Sequence, residues 1–437
     1  MDFIKKSLYV FKNKYFGLAI EFINSILIVR YLGPESYGYY AVLFILPNLV
    51  SSLGSFGYGP SIVYHINKLE FNLSRYLGTF TFLGLTLGII YIFIILFFLE
   101  YINKIFYENN LDTSMFFISL LFIPIMITQK YIRAIIRGMY NIKLFSNLLD
   151  LSIPILRFVF IATFIFINLG LLGMVFIPVI VQGIITLYIF LYLFKKSNFN
   201  TSNLFINKVQ FLLITKFALK NYLGTALQKS NESLIMLIAS ALLSFKEVGL
   251  LSLATKLLQL IASISNSTLT VLMPKVSKSK IEDLKSNIPR VTSILFTFNI
   301  IAITIYLLFL EFFIKLTYGI EFIGIVKFSV PLATVTIFLP FANILLTTIT
   351  HTGDPIKKMY ARGLGFIVNL IFVYPLFLNY GAIGFVISIA LGQFIIFLAA
   401  LFFYKNKFKE NNLNKLFLIK INDVKYLLKT IKKQVVI

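Results

Sequence analysis

Five ionisable side chains stand inside stretches that are otherwise apolar: Glu21, Arg157, Lys229, Glu232 and Lys256. Polar residues recur around them at helical spacing. One stripe holds Gly17, Glu21, Asn24 and Ser25, and a second holds Asn48, Ser51, Ser52 and Ser55. A third holds Asn221, Thr225, Gln228, Lys229 and Glu232, and a fourth Ser252, Lys256, Gln259, Ser263 and Asn266. Steps of three and four put each set on one face of a helix. Lys229 and Glu232 are i,i+3 and can neutralise each other. No acid stands three or four positions from Arg157 or Lys256. Surplus positive charge of this kind suits an anionic ligand such as a phosphate. Glu21 suits either a proton or cation that couples to movement, or a static ion pair with one of the cations. The Ser, Thr and Asn positions read equally well as contacts that glue helices together.

Other chemistries are poorly served. The chain has no Cys and two His, His65 and His351, far apart beside charged loops. That excludes disulfides and thiolate sites and disfavours a metal centre; both His read as interfacial residues. No P-loop, H-E-x-x-H or Gly-rich dinucleotide motif is present, so neither a cofactor nor enzymatic activity is expected.

The elements that must position these residues are membrane spans. Of 437 residues, 59% are hydrophobic and 13% charged, against roughly a quarter charged in soluble domains. Apolar stretches long enough for a ~30 Å hydrocarbon core fall near 11–30, 37–59, 77–99, 114–133, 147–168, 171–194, 217–242, 249–273, 291–313, 325–349, 361–378 and 382–404. A charge at mid-bilayer costs about 2.5–3.5 kcal/mol on insertion scales, so the ionisable residues should face a cavity. With no Trp, the 24 Tyr must anchor the interfaces. No cleavable signal precedes the first span, so the N-terminus is expected to be retained.

The net charge of +23 would suggest nucleic acid in a soluble protein. Here it is distributed as orientation charge, and no nucleic-acid partner is expected. Basic residues crowd alternate loops: Lys5 to Lys14, Lys68 and Arg75, Lys130 to Lys143, Lys195 to Lys220, Lys275 to Arg290, Lys357 to Arg362, and the tail after Tyr404. The positive-inside rule makes that side cytoplasmic and places both termini there. Arg133 and Arg137, one turn apart, read as orientation charges or as a place where a lipid headgroup enters.

The chain also repeats. Gly38 and Gly249 follow corresponding turns, and so do Gly170 and Gly381; each pair is 211 positions apart. A shared offset predicts a duplicated six-helix half with its pseudo-axis along the membrane normal and a substrate path between the halves. The expected domains are a first bundle at 1–196, a cytoplasmic linker at 197–216, a second bundle at 217–404 and a basic cytoplasmic tail at 405–437. The polar helix pairs of both halves would then close around one hydrated cleft, with Arg157, Lys229, Lys256, Glu232, Asn24, Asn48, Gln228, Gln259 and Asn266 lining it and Glu21 as the coupling residue.

With these residues placed, the chain resembles the polysaccharide (O-antigen type) flippases of the multidrug/oligosaccharidyl-lipid/polysaccharide (MATE-like) exporter superfamily. The resemblance covers nearly the whole chain. It rests on Arg30-Tyr31-Leu32-Gly33-Pro34-Glu35-Ser36-Tyr37-Gly38, Gly54-Ser55-Phe56-Gly57 and Arg133-Ala134-Ile135-Ile136-Arg137-Gly138. Gly249 to Ala254, ending at Pro274-Lys275, and Tyr380-Gly381-Ala382-Ile383-Gly384 complete it. It implies an all-α integral membrane protein of about 12 transmembrane helices, two six-helix bundles around a V-shaped cleft. It implies export of undecaprenyl-pyrophosphate-linked glycan across a bacterial cytoplasmic membrane for O-antigen, lipopolysaccharide or capsule assembly. Expected partners are that lipid-linked glycan, membrane lipids, and polysaccharide polymerase and chain-length proteins; the working expectation is a monomer. Related lipid-linked peptidoglycan precursor flippases usually carry two further helices, which favours the polysaccharide branch. The competing readings are a cation-coupled multidrug exporter of the same fold, which would want an acidic, less cationic cleft, and a membrane glycan polymerase or ligase. The latter needs a sizeable outer loop, and the longest here, about 100–113, is short.

This topology makes a direct prediction for a chain without native thiols. A single Cys at Asn110 should react with an impermeant thiol reagent added to intact cells, whereas Cys at Asn200 or Ser279 should not. External labelling at Ser279 would invert the orientation.

Overall fold

The computed structural model describes residues 2–68, 72–107, 110–139, 141–197, 205–278, 281–409 and 412–417. Their regular structure is helical, because lipid offers no partner to an unpaired backbone group and a helix satisfies its own. Packing divides the chain into two compact units, Met1–Gly249 and Leu250–Ile437.

In the first unit, α1 (Asp2–Leu53) is two helices joined at Gly33, whose φ of 73° is left-handed. Pro34 restricts the residue before it and starts the second arm with its fixed φ. A left-handed pair, Phe56 and Gly57, ends this arm and α2 (Tyr58–Ile66) follows. The chain continues through α3 (Leu73–Phe97), α4 (Leu99–Phe106), α5 (Thr113–Leu120), α6 (Phe122–Gly138) and α7 (Ile142–Phe145). A π-helical turn, Ser146–Ser152, joins α7 to α8 (Ile153–Phe166). After the left-handed Asn168 and Gly170 come α9 (Gly170–Lys196), α10 (Lys208–Leu242) and the start of α11 (Phe245–Lys278). Asn72, Asp112 and Asn207 cap α3, α5 and α10 by accepting from backbone amides two or three residues ahead.

The first unit runs on through α10 into the start of α11. Packing explains why. Ser61 Oγ donates to the Ile214 carbonyl at 2.7 Å, Tyr58 Oη and Thr215 Oγ1 lie 2.9 Å apart, and Tyr64 stacks on Phe217 at 4.5 Å, all tying α10 to α2. Gly38 meets the beginning of α11 so closely that a Cβ there would run into the Phe245 carbonyl, and Gly249 packs against Gly38 in return. His65 is buried here, and its Nδ1 donates to the Ser61 carbonyl at 2.9 Å. The side chain of His351 lies outside the described residues.

The second unit contains the rest of α11, α12 (Ile281–Thr317), α13 (Ile325–His351) and α14 (Pro355–Phe408), the last broken at Gly381 (φ 57°). Its core gathers Phe341, Leu345, Ile349, Ile396, Tyr404 and Phe408. Gly365 and Gly392 let the two arms of α14 touch backbone to backbone.

Among the described residues, eight apolar helical stretches can cross a membrane. Two of them, Lys12–Ile66 and Ile356–Phe408, run 55 and 53 residues, against ~20 for one crossing; the first is broken at Gly33 and again at Phe56-Gly57, the second at Gly381. Counted as pairs, and joined by the long polar-striped α10 and α11, they make about twelve crossings of a multi-pass integral membrane protein.

At the end of the second unit Asp354 accepts from Lys407 and Lys357, and its carboxyl is held below the usual carboxylate range, chiefly by the Lys407 hydrogen bond. A lowered folded pKa contributes stability that is present above the unfolded value of ~3.9 and disappears as pH falls through the folded one. Amide exchange around Asp354, corrected for intrinsic rates, should therefore accelerate below about pH 4, and Lys407→Gln should remove that pH step.

Candidate functional site

Glu21 and Asn24 of the first polar stripe meet α8 at its seam with α1. One turn of α1 separates Glu21 from Asn24, and both reach the first turns of α8. Arg157 Nη1 donates to both Glu21 carboxylate oxygens at 2.8 Å. Asn24 Nδ2 donates to the Pro154 carbonyl at 3.0 Å. Further along the seam, a Cβ on Gly17 would run into the Asp150 carbonyl, so only Gly lets the backbones approach. Tyr9 Oη and Asn13 Nδ2 both donate to Asn147 Oδ1, at 2.6 and 2.8 Å. The stripe Gly17, Glu21, Asn24 thus faces α8, and Asn24 serves as inter-helix glue.

The ion pair is lopsided. Its side chains are each 23% exposed. Arg157 spends a single nitrogen on both oxygens, and its buried Nε has no hydrogen-bond partner among the described residues. A guanidinium normally offers a two-nitrogen fork, so this one keeps donor capacity for a further acceptor. Tyr40, on the second arm of α1, stands within electrostatic reach of both Arg157 and Glu21. Sequence reading passed over Tyr40. Its one signal was an aromatic series, Tyr37, Tyr40 and Phe44, at helical steps along that arm, whose rings are in contact.

Asn48 is exposed and donates back to the Phe44 carbonyl at 2.7 Å. A second polar centre lies where this arm ends. The break at 54–57 frees backbone carbonyls, and side chains from three other helices take them up. Lys130 Nζ donates to Ser51 O at 2.8 Å, Tyr222 Oη to Leu53 O at 2.8 Å and Tyr131 Oη to Ser55 O at 3.2 Å. Tyr91 Oη approaches Gly54 O at 3.4 Å. A cation at a helix C-terminus also meets the negative end of the dipole. Nothing in the spacing of Lys130 announced this role.

In the second unit Lys256 is half-buried and Gln259 exposed on α11. The side chains of Gln228, Lys229, Glu232 and Asn266 lie outside the described residues. Among the described residues no cluster of His, Asp and Glu could hold a metal.

A family model for polysaccharide biosynthesis proteins matches residues 3–280. No curated protein matches the chain by sequence. Solved structures do. A lipid II flippase, MurJ, in an inward closed conformation aligns with a TM-score of 0.75 at 17% identity, covering 94% of this chain and 89% of that one. An inward-facing multidrug resistance MATE transporter of the MOP superfamily aligns with a TM-score of 0.70 at 16% identity, covering 90% and 94%. A MOP superfamily transporter from Pyrococcus furiosus, described as having a binding pocket of reverse polarity, aligns with 0.63 at 15% identity, covering 93% and 96%. At these identities the likeness is one of fold.

The Glu21–Arg157 pair should behave as a coupled unit. Arg157→Gln and Glu21→Gln should each destabilise the protein by about 1–3 kcal/mol, below the ~3–5 of a fully buried pair because both groups keep some water. The double variant should lose less than the two singles combined, read as melting temperature in detergent.

Proposed function

The chain belongs to the polysaccharide biosynthesis protein family, and we propose that it is a flippase for lipid-linked oligosaccharides. It would carry undecaprenyl-pyrophosphate-linked repeat units from the cytoplasmic to the outer leaflet of the cytoplasmic membrane by alternating access, with both of its termini inside. The carrying observation is Arg157: a guanidinium within an apolar span whose carboxylate partner uses only one of its nitrogens. A pyrophosphate can compete for that group, with Lys229 and Lys256 as further cations and Asn48, Gln228, Glu232, Gln259 and Asn266 meeting the sugars. The isoprenoid tail stays in lipid, which removes the largest desolvation term from the transfer. Similarity in fold to a protein described as a lipid II flippase supports this reading.

Glu21 favours one alternative, a cation-coupled exporter of the same fold. In the flippase reading its carboxylate exchanges Arg157 for a proton or cation and biases one conformation over another. Both readings are tested in proteoliposomes with a lipid-linked substrate and an imposed proton or sodium gradient. Glu21→Gln should abolish the response to the gradient while substrate still binds; loss of binding with the gradient response kept would make Glu21 structural.

The substrate class has its own test. Deleting the gene should trap a lipid-linked sugar on the cytoplasmic leaflet. Lys229→Ala and Lys256→Ala should each lower glycan export with normal protein levels in the membrane, and Lys→Arg should be milder. Normal export by both Ala variants would leave these lysines as packing or snorkelling residues.

A further inference from the structure

We propose that the inner end of the first unit carries a second anion site, built from Lys14, Arg133 and Arg137, that binds a phosphate or pyrophosphate group. The last turns of α6 present Arg133 and Arg137 one turn apart on one face. Asp150, from the π-helical turn, is within electrostatic reach of both arginines and of Lys14 on α1. One carboxylate therefore serves three cations, and the two arginines repel each other.

Charges that only orient a membrane protein sit in water and need no fixed geometry. This cluster is different. Arg133 is partly withdrawn from solvent, and its buried Nε has no hydrogen-bond partner among the described residues. Arg137 is exposed, but its guanidinium lies 4.4 Å from the centroid of the Phe145 ring. That contact fixes the plane of the group and leaves its edge donors available. The framework is rigid as well. Gly17 abuts the Asp150 carbonyl, a Cβ on Gly138 would meet Ile66 of α2 at 2.7 Å, and the Asn147 bonds to Tyr9 and Asn13 tie the π-helical turn to α1. Two guanidiniums, one of them half-buried, and the exposed ammonium of Lys14, all within electrostatic reach of Asp150, match an anion with several oxygens. A basic pocket between helices at the inner interface is the usual setting for a phosphate headgroup. A role in loading the transport path rests on the flippase reading; the binding itself does not.

The test uses full-length protein in phosphatidylcholine nanodiscs. Inorganic pyrophosphate is titrated calorimetrically, and undecaprenyl pyrophosphate incorporated in the disc is followed by native mass spectrometry. Arg133→Gln with Arg137→Gln should weaken binding about tenfold or more, roughly the loss of one charge-assisted contact. Arg133→Lys keeps the charge without the fork and should weaken it less. Asp150→Asn removes the competing carboxylate and should tighten it, a gain that a purely structural role does not produce. Lys195→Gln, an exposed inner-side charge on α9, should change nothing. Losses for the lipid alone assign a lipid headgroup; losses for both probes show that the free anion suffices. The proposal is overturned if wild-type protein binds neither probe. It is also overturned if the double variant, eluting and melting as wild type, binds both unchanged and Asp150→Asn brings no gain. Glycan export that persists in such a case would leave the flippase reading standing.

Discussion

Hydrocarbon offers backbone groups nothing to bond to, and this requirement shapes each place where a helix stops short. At Gly33 and Gly381 the chain turns through single left-handed glycines, so few groups are freed. The stop at 54–57 frees more, and Lys130, Tyr131 and Tyr222 are each committed to a carbonyl there. An unbonded polar group in such surroundings costs several kcal/mol. Two helices, α6 and α10, are thus tied to the end of a third, and the place of α10 in the first unit follows from that tie as much as from apolar packing.

The charged groups obey the same demand. Arg157 could not remain at its depth without an acceptor, and Glu21 could not remain ionised without a donor. Their pairing stabilises both while leaving part of the guanidinium unused. In the proposed flippase reading, function and stability meet in that unused part. A bond that filled the whole fork would hold the helices more firmly and leave less for a ligand to compete for.

Much of this was legible in the sequence, for reasons that can be named. The spans follow from hydropathy, and Gly33-Pro34, Asn168-Leu169-Gly170 and Tyr380-Gly381 mark turns because few other residues accept those backbone angles. The stripe Gly17, Glu21, Asn24 was visible as one face of a helix. What it faced was not, since Glu21 and Arg157 are 136 positions apart and periodicity carries no information on which helix lies opposite. The repeat likewise carries no information on which helices pack together, so the contacts of α10 with α2 could not be read from it. The π-helical turn at Ser146–Ser152 and the capping role of Lys130 leave no local signature at all. Both arise from contacts between distant segments.

The meeting of Gly38 with the start of α11 sets an order of events during synthesis. The two backbones that touch there are about 200 residues apart along the chain. At a translation rate of roughly 5–20 residues per second, the face of α1 around Gly38 waits on the order of 10–40 s for its partner. The first bundle therefore matures late, only after the eighth crossing begins to leave the ribosome. A truncated chain ending before Phe245 would hold a seam that nothing of its own can close.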